Sequence, residues 1–389
     1  MKSVTKNIRQ ETIAGAKTIL VKVGSAVLTG TDGLDLKIIN SLVKEMTELI
    51  RNGHTIVLVT SGAIVSGKHR LGMTAPLKSI REKQAAAAIG QGRLMRVYSK
   101  SFEKRGLYVA QLLLTLADLS DRQRYLNIRN TLSTLIEWRV TPIINENDSV
   151  AVDEIKFGDN DTLAAMIANM VEADLFVNLT STDGLYDCNP AGNRKANLIS
   201  LVREFTDEIE NAATCETSPV GMGGMKSKVM AAKSVTSMGI PCIIAPGKAP
   251  RVLSKIIAGR EIGTLFLPKS HKLKSKKYWI AFTLRPRGRL VIDEGAKTAL
   301  CEKGTSLLPS GIIDVEGDFV LGDPVGLIDR KGVLLAKGLV NYSAAEIHKI
   351  KGLKTSQISQ VLGHKDYDEV IHRDNLAIIY TEKKAKNNL

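Results

Sequence analysis

Short apolar runs that alternate with segments of helical periodicity constrain this chain more than any other feature. TILVKV (18–23), TIVLV (55–59), LYVAQLLL (107–114), VTPII (140–144), LFVNL (175–179) and PCIIA (241–245) read as buried strands. Between them apolar residues recur at helical spacing, as at Leu36, Ile39, Leu42, Val43, Met46, Leu49 and Ile50. Helices are expected over 34–51, 80–105, 121–137, 161–171, 226–238 and 250–259. The alternation predicts an α/β fold: a mostly parallel open sheet sandwiched by helices. Right-handed crossovers would gather the strand exits along one edge.

Those exits are polar. The stretch IINENDSVAVDEIKFGDND (143–161) concentrates Asn145, Glu146, Asn147, Asp148, Asp153, Asp159, Asn160 and Asp161 between a strand and a helix. A buried carboxylate without a partner costs on the order of several kcal/mol, so such density does not serve a core. It reads either as a solvated loop or as a ligand site, and its position favours the site. Ligands of open α/β sheets bind at strand exits and helix starts.

Lys22 interrupts the first strand, and Gly24 follows where backbone N–H groups could approach a phosphate. Thr60-Ser61-Gly62-Ala63 leaves the second strand as a helix cap or a carboxylate cradle. Thr180-Ser181-Thr182-Asp183-Gly184 is equally an ordinary turn or a nucleotide contact. SPVGMGGMKSK (218–228) leads glycines into a helix carrying Lys226 and Lys228, which suits a phosphate clamp. The Walker A pattern GxxxxGK[ST] is absent from the sequence.

The length of 389 residues suits two or three domains. A net charge of +14 favours anionic partners, namely nucleic acid, membrane surfaces or small acids and phosphates. The 20 basic and 14 acidic residues from His271 onward show that this charge is shared along the chain. No apolar run reaches membrane-spanning length, and the first residues lack the apolar core of a secretory signal. Cys188, Cys215, Cys242 and Cys301 lie far apart, as suits a cytoplasmic protein, and no histidine spacing suggests a metal site. After residue 268 the pattern changes to short strands between glycine and proline turns, with helices near 294–302 and 343–351. We expect a flexible lead at 1–16, a catalytic domain at 17–268 and a linker at 269–276. A small β-barrel-like domain follows at 277–362, then an extension at 363–389 with a disordered end.

With these motifs placed, the chain resembles the glutamate 5-kinase family of amino-acid kinases. The residues that carry the likeness are VKVGSAVLTG, VLVTSGAI, INENDSV with KFGDND, LTSTDGLY and VGMGGMKSK, and later IDEGA, GTSLLPSGI and EVIHRDN. The C-terminal module resembles a PUA domain, a fold found on RNA-modifying enzymes. The resemblance implies transfer of the ATP γ-phosphoryl group to the side-chain carboxylate of L-glutamate, the first step of proline biosynthesis. It places Lys22 and Lys228 on the phosphates, with Asp161 orienting them. It places Ser61, Asp148 and Asn160 on glutamate. It places Gly24, Thr180, Ser181, Met222, Gly223, Gly224, Met225, Lys226 and Ser227, with the two lysines, on the nucleotide. Mg²⁺ would travel with ATP. Feedback inhibition by proline, a dimer or tetramer, and a glutamyl-phosphate reductase partner are further implications.

Three positions depart from the family pattern: Ala26, Ser181 and Met222, where a hydroxyl residue, an aspartate and a threonine are common. Each bears on one contact to nucleotide or phosphate, and none removes a lysine or the acidic centre. Two other readings compete. One is a related kinase acting on carbamate, acetylglutamate, aspartate or UMP. The other is an RNA-binding factor built on the PUA-like module, where Arg285, Arg287 and Arg289 form either a phosphate-contacting run or a solvated strand face.

Overall fold

A computed structural model describes residues 2–30, 33–151, 159–190, 196–214, 224–268, 277, 280–281, 284 and 286–379. The chain divides into two compact units, Met1–Lys272 and Leu273–Leu389. The linker expected at 269–276, Arg285, much of the segment WIAFTL and the final residues from 380 lie outside the described residues.

The first unit holds an eight-stranded sheet. Its strands in chain order are β1 (Thr18–Val23), β4 (Thr55–Val59), β5 (Val109–Leu114), β6 (Thr141–Glu146), β7 (Leu175–Thr180), β8 (Leu201–Val202), β9 (Cys242–Pro246) and β10 (Thr264–Phe266). A two-stranded hairpin, β2 (Thr29–Gly30) and β3 (Gly33–Leu34), stands apart from it. Across the sheet the order is β5-β6-β4-β1-β7-β9-β10-β8. Five strand pairs from β5 to β9 are parallel, and β10 runs antiparallel to β9. The chain builds outward from β1 on one side, through β4, and then returns to β7 on the other. Such a reversal leaves a crevice at the carboxyl ends of the central strands.

Burial explains the apolar runs. Ile19, Val21 and Val23 on β1 join a core with Ile39, Leu42, Val43 and Met46 of helix Leu36–Arg51. Strand side chains alternate, so Leu20 and Lys22 face the opposite layer. Asp35 caps helix Leu36–Arg51 by accepting from the Lys37 and Ile38 N–H groups. Helix Ala63–Arg70 crosses helix Ile80–Glu103 so closely that a Cβ on Gly90 would lie 1.8 Å from the Ala63 carbonyl oxygen.

The structure departs from the sequence expectations at several places. The lead-in expected to be flexible forms helix Lys2–Ile13. Arg9 is fully buried there and donates to the carbonyls of Ser200, Ile262 and Gly263. The strand expected at 140–144 extends to Glu146, so Asn145 and Glu146 belong to the buried ladder.

In the second unit β11 (Gly288–Ile292), β12 (Ile312–Gly317), β13 (Pro324–Ile328), β14 (Leu334–Leu339) and β15 (Leu376–Ile378) form one sheet in the order β12-β11-β13-β14-β15. Helices Glu294–Lys303 and Ala344–Ile350 accompany it. Part of the extension expected after 362 therefore belongs to this sheet, because β15 pairs with β14. Arg287 lies 3.4 Å from Asp323 and Arg289 lies 3.9 Å from Glu316, so both basic side chains have acidic neighbours at the surface.

The helix crossing generates a paired prediction. Gly90→Ala should lower stability by about 1–3 kcal/mol, because backbone cannot yield to the new methyl. Gly92→Ala, where nothing lies within 4 Å, should be neutral or stabilising by up to about 1 kcal/mol. Urea unfolding of the two variants would show equal midpoints if the crossing were looser than described.

Candidate active site

Lys22 is 4% exposed, and a lysine so buried requires a counter-charge. Asp161, in the first turn of helix Asp159–Met170, supplies it: its Oδ1 lies 2.5 Å from the Lys22 Nζ. The other oxygen, Oδ2, lies 3.3 Å from the Nζ of Lys228, in the first turn of helix Met225–Ser237. One carboxylate thus faces two ammonium groups from distant parts of the chain. Two neutral donors complete the arrangement. Asn178 Nδ2 donates to Oδ1 at 2.9 Å, and Ser227 Oγ donates to Oδ2 at 2.7 Å.

Burial acts on both signs of charge here. It pushes the Asp161 carboxyl upward, but the attraction of Lys22 and Lys228 outweighs it, with hydrogen bonds from Lys22 and Ser227. The acid is held well below the usual carboxylate range. For Lys22 burial dominates over the pull of Asp161, and repulsion from Lys228 adds to it, so the ammonium is lowered. The trio carries two positive charges and one negative. Two helices begin beside it, and Gly224, the cap of the second, offers no side chain to its first turn. The partial positive charge of helix N-termini adds to the lysines.

A second cluster adjoins the first. Asn160, the residue before Asp161, donates from Nδ2 to Ser61 Oγ at 3.2 Å and accepts from the Glu146 N–H at 3.3 Å. It therefore ties the exit of β4 to the exit of β6. Because Ser61 Oγ accepts from Asn160, its own proton is directed elsewhere and is available to an acidic ligand. Gly62 adopts φ +103°, which lets the chain turn sharply into helix Ala63–Arg70 behind Ser61. Thr60 is fixed from below: its N–H donates to the Ile144 carbonyl and its hydroxyl lies 3.0 Å from that of buried Tyr98.

The residues expected from sequence fall as follows. Lys22, Asp161 and Lys228 meet in one cluster, and Ser61 meets Asn160 in the other. Asp148 follows β6 at the same edge, half-buried. Gly24 leaves β1 there, and a Cβ on it would lie 3.9 Å from the Lys22 Nζ. Thr180 ends β7 and is buried, while Ser181 is exposed beyond it. Gly224 to Lys228 open their helix, with Met225 buried and Lys226 exposed. Met222 and Gly223 lie outside the described residues. Sequence reading missed Asn178 as a partner of Asp161, although an amide inside LFVNL is the same kind of signal as Lys22 inside TILVKV. It also missed the contact of buried Asn145 with half-buried Gln91, whose side chains share a hydrogen bond of 2.9 Å.

The model of the Amino acid kinase family matches residues 17–246, and that of the PUA domain matches residues 288–362. A protein named "Glutamate 5-kinase" from Syntrophus aciditrophicus is 67% identical over 97% of this chain and 98% of its own length. Proteins of the same name from Desulfotalea psychrophila and Geobacter sulfurreducens are 50% and 48% identical. Each alignment covers 96% of this chain, with 99% and 100% of those relatives.

The charge cluster makes a stability prediction. Asp161→Asn leaves two buried ammonium groups without a counter-charge and should cost about 3–5 kcal/mol. The folded carboxyl lies below its unfolded value of about 3.9. Its contribution is therefore complete above that value and is lost as pH falls through the lower folded one. Denaturation at neutral pH should resolve the difference between parent and variant, and the gap should narrow toward strong acid. Equal stability at neutral pH would show that Asp161 does not hold the two cations.

Proposed function

The chain belongs to the amino acid kinase family and, within it, to the glutamate 5-kinases, and on that premise we propose how its site transfers phosphate. The reaction moves the γ-phosphoryl group of ATP to the side-chain carboxylate of L-glutamate, giving L-glutamyl 5-phosphate for proline biosynthesis. The observation that carries this reading is the meeting of the Lys22 and Lys228 amines on Asp161, beside the Ser61–Asn160 pair.

Phosphoryl transfer needs position and charge neutralisation more than covalent assistance. The attacking carboxylate is already a nucleophile and requires no base. Its obstacle is repulsion by the triphosphate. Lys22 and Lys228 offset that repulsion where charge shifts during transfer, with the amides after Gly24 and at the start of helix Met225–Ser237. Asp161 holds the two amines close together before ATP arrives. Thr180, Ser181 and the segment from Met222 to Lys228 hold the nucleotide. Ser61 donates to a glutamate carboxylate, and Asp148 and Asn160 receive its ammonium group. Holding both substrates in line accounts for much of the acceleration in reactions of this kind.

Among the described residues no three His, Cys, Asp or Glu side chains converge as a metal cage. Mg²⁺ keeps waters and phosphate oxygens as ligands and asks little of a protein, and in this reading it enters with ATP. When bound it would neutralise the phosphate oxygens. L-proline, as feedback inhibitor, would occupy the glutamate pocket near Ser61 and Asp148. A homo-oligomer, a glutamyl-phosphate reductase partner and a cytoplasmic location complete the reading. For the PUA-like unit we favour a solvated basic face over RNA binding, since Arg287 and Arg289 already have acidic neighbours.

Coupled measurement of ADP release, with hydroxylamine trapping of the acyl phosphate, tests the reading. Release should depend on L-glutamate, and Lys228→Ala should slow it by about a hundredfold or more. Turnover of UMP or acetylglutamate without any response to glutamate would overturn the substrate assignment. An undiminished Lys228→Ala variant would overturn the lysine assignment.

A further inference from the structure

A central parallel strand is normally an unbroken apolar run, because both of its faces are covered. β7 breaks that rule at Asn178, which is fully buried. A leucine would pack there without hydrogen-bonding needs. The amide instead leaves its Oδ1 buried with no hydrogen-bond partner among the described residues. Burying a half-satisfied amide is unfavourable, so packing alone does not account for this residue.

Its surroundings do. Asn178 is aligned with Lys22 on the adjacent strand, and neighbouring strands lie about 4.8 Å apart. Its Nδ2 donates to Asp161 Oδ1, the oxygen that also pairs with Lys22. Ser227 stands in the same relation to Oδ2 and Lys228. Each carboxylate oxygen thus has one cation and one neutral donor. The cations are the groups that phosphate will attract. The neutral donors are not.

We propose that Asn178 is a positioning residue: its amide holds Asp161 Oδ1 so that Lys22 can shift toward the phosphates without leaving the carboxylate bare. This inference rests on the phosphate role proposed for Lys22 and Lys228. Without the amide, Asp161 Oδ1 would be satisfied by Lys22 alone. The ion pair would tighten, and the ammonium would be less available to the moving phosphoryl group. The effect falls on the chemical step, since Asn178 belongs to neither the Ser61–Asn160 pair nor the glycine-led helix start.

The test uses the full-length chain with Asn178→Leu, and the nearly isosteric pair Asn178→Thr and Asn178→Val. Loss of a hydrogen bond to a charged group should lower kcat by about ten- to a hundredfold in the Leu and Val variants. KM for ATP and for glutamate should stay close to the parent. The Thr variant, which keeps a hydroxyl donor, should recover part of the loss. The alkaline limb of kcat gives a second readout. The titratable groups around Asp161, the carboxylate that Asn178 holds, are Lys22, Lys228 and Cys242. Burial, with the charge of Asp161, pushes the Cys242 thiol well up, whereas burial lowers the Lys22 ammonium, so the limb is assigned to Lys22. A tighter ion pair favours the ammonium form, so the limb should move to higher pH in the Leu and Val variants. Parent-like kcat and limb in Val and Thr alike, with Lys228→Ala inactive, would overturn the role of Asn178 and leave the proposed reaction standing. Loss of activity with raised KM values, a lower melting temperature and an unmoved limb would assign Asn178 to packing alone and also overturn it. If Lys228→Ala remained fully active, the reading beneath both would fall.

Discussion

A single carboxylate between two buried ammonium groups is the interaction on which this molecule depends. Separately, Lys22 and Lys228 would each be a charge removed from water, which is unfavourable by several kcal/mol, roughly. Asp161 lets both exist inside the protein, at distances of 2.5 and 3.3 Å, and its own burial is tolerable only because they are there. The same mutual dependence keeps the centre positive. Two ammonium groups and one carboxylate leave an unneutralised positive charge at the place where a triphosphate and a dicarboxylic amino acid would meet.

The sheet order makes the meeting possible. β1 and β7 are neighbours although long stretches of chain separate them, so Lys22 and Asn178 stand side by side. The parallel direction brings the exits of β1, β4, β6 and β7 to one edge, where helices Asp159–Met170 and Met225–Ser237 begin. Helix Ile80–Glu103 serves that edge from behind. Tyr98 steadies Thr60 next to Ser61, and Gln91 holds Asn145 on β6. A close crossing at Gly67 and Gly90 keeps that helix against the one that follows Ser61.

Much of this was legible in the residues. Apolar runs separated by helical periodicity marked the central strands, and a lysine in TILVKV announced a buried partner. The acidic stretch running into DTLAAMIANM indicated where that partner would be, and the family resemblance singled out Asp161 within it. The rest escaped for physical reasons. Helix Lys2–Ile13 is anchored by a cation on backbone carbonyls, an interaction that apolar periodicity does not register. β8, β10 and β15 are two or three residues long, too short for any periodicity to show. Asn178 was overlooked because an amide in a strand is less conspicuous than a charge, although burial makes the same demand of both for a partner.

In the proposed mechanism the two amine tips act together on the phosphoryl group in flight. A crystal structure of the chain with ADP, Mg²⁺, L-glutamate and a planar metal fluoride in place of that group tests it most directly. The Nζ atoms of Lys22 and Lys228 should both lie at hydrogen-bond distance, about 3 Å, from the fluoride ligands, with Asp161 still held by Asn178 and Ser227. A metal fluoride bound away from both amines, with the lysines still paired only to Asp161, would contradict it.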